Sequence, residues 1–571
     1  MEYAMKALII GGVAAGATAA ARIRRLDEHA EITIVERGPY VSFANCGLPY
    51  HISGAIEKRS KLLVQTPEGF MSRYRVQVML NTEAIAVNRN SKQVTVVTKT
   101  AEGSTEQALA YDVLLLAQGG TPVFPNIEGI DAPHVFKLWT IPDMDKILKH
   151  IKEQSPRNAV VIGGGFIGLE TAEAFVERGL TVTIVEALDH VMPQLDAVYG
   201  RHVEDQFKER GAAVYTNAVV KKITDTAVIL GNGTAIPADL VLVSAGVKPN
   251  TELAQKAGLE IGKTGGLAVD EFLRTSDPWI WAAGDMIEIE SKISNAKVRI
   301  PLAGPANRQG RIAATNAVLA WHSGKSMPES MSMLTPMSYK GALGTSVIKI
   351  FDTTLASTGL SFTQAKRAGL PVREVSLIKG NHAGYYPGAE DILLTLVYNE
   401  KNGRLLGAEA FGKQGVEKRI DAVAVALHAG LTVYDLAEID FAYAPPYSSA
   451  NDPLNMAAFM AVNNLSGYSP VISMDEIETS LKNPDAVLWL DVRNYGEYAK
   501  GHIKNSLHIP VDELRDRIDE IPRDKPIYCI SVGGFEGHLA VRMLKQHGFK
   551  HVKNISGGWS HLKFMRGLSI E

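Results

Sequence analysis

The sequence predicts an α/β protein built on parallel sheets, and three observations carry that prediction. A pattern of strand, glycine turn, small-residue helix, strand and acid occurs twice, first from Lys6 to Glu36 and again from Asn158 to Glu186. Glycine is abundant, at 51 residues, while aromatic residues make up only 7%, a composition suited to many tight strand-to-helix turns. The length of 571 residues corresponds to about three to five compact units, which leaves room for further domains beyond the repeats.

Charge and cysteine content exclude several classes of function. Lysine and arginine total 59 against 62 acids, a formal charge of -3, so no polybasic surface for nucleic acid or anionic lipid is expected. No apolar run reaches the roughly 18 to 20 residues that span a bilayer, and the first residues lack a signal-like pattern. The chain therefore reads as soluble, unexported and cytoplasmic. Cys46 and Cys529 are its only cysteines, which excludes a disulfide scaffold and a cysteine-rich metal site; no metal is expected.

Each repeat has the size of a mononucleotide-binding βαβ half. In the first, Lys6 to Ile10 is the strand, Gly11 to Gly16 the turn and Glu31 to Glu36 the second strand with its acid. In the second, Asn158 to Ile162 leads to Gly163, Gly165 and Gly168, and Thr181 to Glu186 closes the unit. Such a turn lets backbone N–H groups approach a pyrophosphate at a helix N-terminus, and the acid can bind a ribose diol. The first copy holds Val13 at the middle glycine position, which leaves less room for the pyrophosphate. Glu186 is followed by Ala187 with no nearby arginine for a 2′-phosphate, which favours NADH over NADPH.

Further on, Thr275 to Asp285 is a short strand ending in Gly284 and Asp285, with Gly246 to Pro249 and Leu114 to Gly119 as companion segments. Together with the two repeats, these segments resemble the two-dinucleotide-domain flavoprotein disulfide reductases. The resemblance implies FAD held by Gly11, Gly16, Glu36, Gly119, Gly284 and Asp285, the last at the ribityl chain. It implies NADH held by Gly163, Gly165, Gly168, Glu186 and Gly246. It also implies an FAD-binding domain at 1–120 and 265–330, with an inserted NAD-binding domain at 121–264. Strands at Thr345 to Phe351, Asp391 to Tyr398 and Leu405 to Phe411, then a helix from Val416 to Ala429, resemble that family's α+β dimerisation domain over 331–465. A turn-rich linker is expected from Asn463 to Pro470.

Ser42 to Tyr50 carries Cys46, which is expected to open a helix whose dipole favours thiolate over thiol. The place five residues on holds His51, so no intramolecular redox disulfide can form. The segment resembles the single-cysteine branch of the family, the coenzyme A disulfide reductases and the NADH oxidases and peroxidases. Peroxidase-type members are expected to carry a histidine in the first helix. Here Ala14, Ala15 and Gly16 stand there, so oxygen chemistry takes second place. Arg22 and Arg25 could grip the phosphates of coenzyme A or merely form a solvated helix face, and Ser42 and Asn45 flank the thiol.

The segments from His382 to Gly388 and from Tyr443 to Ser449 also resemble the coenzyme A disulfide reductases. In that family two tyrosines of one subunit reach the cysteine of the other, where a phenol can protonate a leaving thiolate. Tyr385 and Tyr443 are the foremost candidates, then Tyr386 and Tyr447; plain turn packing is the competing reading. This role requires a homodimer.

From Leu488 to Arg493, Glu497 to Ile503, Ser506 to Pro510 and Gly557 to Trp559, the last domain resembles a rhodanese-like α/β domain, set at 473–571. Its loop, Val532 to Gly537 ahead of a helix from His538, would cradle an anionic persulfide on backbone N–H groups. Ser531 occupies the nucleophile position. Either the domain is degenerate, or the serine is an isosteric replacement of a native cysteine; the otherwise intact glycine cradle favours the second reading. Glu536 stands where an arginine is common, which argues against thiosulfate as donor, and Cys529 reads as a packed thiol.

These features point to an FAD-dependent enzyme that uses NADH to reduce a persulfide, a polysulfide or a coenzyme A disulfide, with sulfide released from the first two. Coenzyme A would serve as substrate carrier or be tightly bound. An NADH oxidase or peroxidase working through a sulfenic acid, and a non-catalytic sulfur sensor or carrier, are the alternatives.

Overall fold

A computed structural model describes residues 4–323, 331, 333–565 and 568–571. Backbone packing divides the chain into two units, Met1–Ala187 with Arg210–Ala342, and Leu188–Glu209 with Leu343–Glu571. The boundary expected near residue 330 falls on 324–330, outside the described residues.

The first unit holds both repeats. Lys6–Ile10 is the central strand of a five-stranded parallel sheet, flanked by Val113–Leu116 and Glu31–Val35, with Ile280–Ala282 and Val76–Met79 at the edges. Leu8, Ile9 and Ile10 are buried, as a strand covered on both faces requires. The helix Ala14–Leu26 follows the glycine turn and packs on the helix Ala303–His322. Their approach is close: a Cβ on Gly310 would stand 2.3 Å from the Ala15 carbonyl oxygen. The second repeat builds a matching sheet from Ala213–Tyr215, Thr181–Val185, Asn158–Ile162, Leu240–Val243 and Val135–Phe136, all parallel.

The second unit contains an antiparallel sheet ordered Ser346–Ile350, Thr353–Gly359, Leu405–Gly412, Asp391–Asn399, Val372–Gly380. It also contains a smaller parallel sheet, Val471–Ile472, Val552–Ile555, Ile527–Ile530, Leu488–Asp491, Leu507–His508. The helix Val416–Ala429 lies where the sequence places it.

Two expectations need correction. The helix Pro453–Leu465 runs through the start of the expected linker, because Asn464 is buried there: its amide donates to the Tyr398 hydroxyl and its oxygen accepts from Val471 N–H. The last domain's helix begins at Phe535, three residues before His538, since Gly534 at φ +111° turns the chain directly into it. Among the described residues no helix is long and apolar enough to cross a membrane.

Candidate active site

The first glycine turn opens onto a cavity of about 520 Å³ lined by Gly11, Gly12, Glu36, Gly119, Gly284 and Asp285. Five of the six residues expected to hold FAD are thereby on one wall system. The sixth, Gly16, acts behind the turn, where a Cβ would sit 1.9 Å from the Gly11 carbonyl oxygen. Gly11 has φ +100°, and a side chain there would strike the Ala117 carbonyl at 2.2 Å. Glu36 accepts from Gly12 N–H at 2.9 Å and from Gly38 N–H at 2.8 Å, which fixes its carboxylate at the cavity edge. Val13 lines the same cavity.

These residues fit a flavin dinucleotide. Burial pushes the Asp285 carboxyl up to about 6, a state that hydroxyl donors from a ribityl chain would relieve. Gln118 also keeps a buried Oε1 without a hydrogen-bond partner in the cavity wall.

The second turn repeats the geometry. Gly163, at φ +108°, would carry a Cβ 2.2 Å from the Ser244 carbonyl oxygen, and one on Gly168 would stand 2.1 Å from that of Gly163. Gly165 faces open space, as a close backbone approach to a pyrophosphate requires. Glu186 accepts from Gly164 N–H at 2.8 Å, the same bond that Glu36 makes with Gly12. Gly246 takes φ +112°.

Cys46 lies in the short turn Asn45–Gly47 ahead of the six-residue helix Leu48–Ser53, and its side chain is exposed. Asn45 lines the cavity; its Oδ1 accepts from Cys46 N–H at 3.1 Å and stands 3.7 Å from the thiol sulfur. Ser42, at φ 46°, donates its N–H to Gly12 O and accepts from Val64 and Gln65, tying the thiol segment to the glycine turn.

The expected thiolate bias from the helix does not hold in the protein alone. Desolvation by the surrounding walls, with the carboxyls of Glu170 and Asp285, raises the Cys46 thiol above its usual value. Glu170 itself is pushed up to about 7, chiefly by burial, and accepts from the Tyr50 hydroxyl at 3.2 Å. Sequence reasoning missed this pair, although Tyr50 closes the cysteine segment and Glu170 stands two residues beyond Gly168.

Arg22 donates to Thr315 Oγ1 at 3.0 Å, while burial and the neighbouring charges of Arg311 and Arg25 lower its pKa. Arg25 and Arg311 thus add their positive charges to the surroundings of Arg22, an arrangement that favours a polyanion. Arg311, on the facing helix, was not singled out from the sequence.

Tyr385 and Tyr443 lie 58 positions apart, yet their hydroxyls meet at 3.0 Å. Hydrogen bonding to Tyr443 raises the Tyr385 pKa and so keeps that phenol protonated. Their side chains are 76% and 48% exposed, and Tyr386 and Tyr447 are exposed beside them. Such an aromatic cluster left open on one chain is suited to being covered by another.

In the last domain Ser531 is fully buried, and its Oγ accepts from Gly534 N–H at 2.9 Å. A Cβ on Gly537 would stand 3.2 Å from that Oγ. Asn554 braces the turn by donating to Gly534 O at 2.8 Å. Cys529 is buried, and burial drives its thiol far above the usual range, so it is chemically quiet. Among the described residues no cluster of three or more His, Cys, Asp or Glu side chains could hold a metal ion.

Comparison with known proteins agrees with this layout. Residues 5–310 match the model of the pyridine nucleotide-disulphide oxidoreductases, 345–453 that of their dimerisation domain and 473–563 that of the rhodanese-like domain. A coenzyme A disulfide reductase of Staphylococcus haemolyticus is 33% identical over 80% of this chain and 99% of its own length. An NADH oxidase of Methanocaldococcus jannaschii is 34% identical over 81% of this chain and 100% of its own. Among solved structures, the reduced Bacillus anthracis CoADR-RHD superposes with a TM-score of 0.91 at 42% identity, covering 98% of both chains. An NAD-dependent persulfide reductase from A. fulgidus superposes at 0.88 with 38% identity, covering 98% of this chain and 100% of that one.

Proposed function

The chain belongs to the pyridine nucleotide-disulphide oxidoreductase family, and from that premise we propose that it is an FAD-dependent, NADH-driven reductase of persulfides, polysulfides and coenzyme A disulfides. The observation that carries the proposal is a lone thiol, Cys46, beside the flavin cavity with His51 in place of a second cysteine. Relatives named as a coenzyme A disulfide reductase and a persulfide reductase, and the C-terminal rhodanese-like domain, support the same reading.

Bound FAD supplies the two-electron relay that draws on NADH and returns Cys46 to its thiolate after each sulfur transfer. The chain's own residues do the rest. The Cys46 thiolate attacks the outer sulfur of a persulfide R–S–SH; the S–S bond breaks, R–S⁻ leaves and Cys46 carries the new persulfide. Tyr385 and Tyr443, reaching the partner subunit's Cys46 in a homodimer, donate the proton that R–S⁻ takes up. Reduction then releases sulfide, so that NADH, H⁺ and R–S–SH become NAD⁺, R–SH and H₂S. Arg22, Arg25 and Arg311 hold the phosphates of a coenzyme A carrier, with Ser42 and Asn45 beside its sulfur. A working thiol with two unpaired cysteines suits the reducing cytoplasm.

The test is anaerobic NADH oxidation with coenzyme A persulfide, with sulfide measured. Turnover with stoichiometric sulfide, abolished in Cys46→Ser, supports the proposal. Faster NADH oxidation with hydrogen peroxide than with the persulfide would overturn it in favour of peroxidase chemistry.

A further inference from the structure

The two phenols sit on loops that have no regular structure of their own, and the bonds that fix those loops converge on one buried ion pair. Arg419, on the helix Val416–Ala429, and Asp452, at the cap of the helix Pro453–Leu465, are 2% and 1% exposed and meet at 2.9 Å. From this pair the guanidinium donates to the Asn381 carbonyl at 2.7 Å, four residues before Tyr385, and to the Gly415 carbonyl at 3.0 Å. On the other side the Asp452 carboxylate accepts from the Ser448 hydroxyl at 2.8 Å, five residues after Tyr443. Ser448 is itself fully buried, and its carbonyl accepts from Ala383 N–H at 3.0 Å, which links the two loops directly. Asn455 holds the start of the Tyr443 segment by donating to the Ile439 carbonyl at 3.1 Å.

A buried ion pair is weak evidence for stability, since hydrophobic residues of equal volume often serve as well. What it supplies here is position, because each partner is bonded to a different tyrosine loop. We propose that Arg419 and Asp452 are positioning residues that hold the Tyr385 and Tyr443 hydroxyls at hydrogen-bond distance, so that the phenol pair delivers its proton to the departing thiolate. This rests on the reading of the phenols given above.

The test uses the full-length flavin-loaded dimer, reduced and mixed with coenzyme A disulfide in a stopped-flow spectrometer. Ser448→Ala removes one bond to the Asp452 carboxylate, and Asp452→Asn keeps the helix cap while discharging the pair. Flavin absorbance and dimer size establish that each variant is folded. Both variants are expected to slow S–S cleavage about tenfold while leaving flavin reduction by NADH within about twofold. In a Tyr443→Phe background, the same changes are expected to have no further effect on cleavage.

An equal loss in both backgrounds would overturn the proposal, because the pair would then act on stability alone. Unchanged cleavage in Ser448→Ala and Asp452→Asn, beside a slowed Tyr443→Phe, would overturn it while leaving the phenols' role intact. Unchanged cleavage in Tyr385→Phe and Tyr443→Phe themselves would remove the phenols' role and the positioning role with it.

Discussion

At the scale of single residues, desolvation first and its carboxyl neighbours second raise the Cys46 thiol above its usual value. Burial pushes Glu170 up to about 7, and each carboxylate facing the thiol disfavours a second negative charge. Glu170→Gln should therefore lower the Cys46 thiol pKa, so that alkylation by iodoacetamide at pH 7 accelerates. An unchanged pH profile of alkylation would show that the carboxyl does not reach the sulfur. Ser531 poses a simpler question, because a hydroxyl cannot carry sulfane sulfur. Ser531→Cys is expected to acquire a persulfide on incubation with a sulfane donor, seen as a mass increase of one sulfur atom in a Cys46→Ser background. The unmodified serine chain should show none.

At the scale of elements, the segment Leu188–Glu209 follows Glu186 almost directly in sequence yet packs within the second unit. Its Tyr199 hydroxyl donates to the Glu409 carbonyl and shares a hydrogen bond with the Thr395 hydroxyl, Arg201 donates to the Phe564 carbonyl, and His202 stacks on Phe411. Burial and the nearby Lys563 push His202 down to about 4, while burial and His202 push His561 to about 3. Both are therefore neutral in the folded chain and gain protons more readily when unfolded. The stability tied to them is complete above about pH 6.5 and is lost as pH falls from there toward their folded values. Each contributes up to about 1.4 kcal/mol per pH unit across that window. Denaturation midpoints should fall between pH 6.5 and 4.5, and His561→Phe should flatten the fall.

The same scale shows what was legible beforehand. Both βαβ units and the helix Val416–Ala429 follow from local periodicity and glycine placement, so their residues announce them. Asn463 and Asn464 resemble turn residues; only the folded structure reveals the buried Tyr398 hydroxyl and Val471 N–H that keep Asn464 inside a helix. Glu170 and Arg311 were silent because their significance lies in what folds against them, Tyr50 and Arg22, and no spacing encodes that meeting. The brace of Arg419 and Asp452 joins residues 33 apart for the same reason.

At the scale of the whole molecule, the phenols and the thiol are proposed to come from different chains, which mixing can test. Cys46→Ser homodimers are expected to be inactive and Tyr443→Phe homodimers slowed; equal mixing and reassembly would restore about a quarter of the wild-type sites, since half the dimers would be mixed and one site in each intact. No recovery would show that both groups serve within one chain. The exposed sulfur of Cys46 has a further consequence. With no companion thiol to close upon, an idle oxidised molecule stays capped by the last small thiol it met. Its mass when isolated without reductant thus becomes a record of the surrounding metabolite pool, readable in a single intact-protein spectrum.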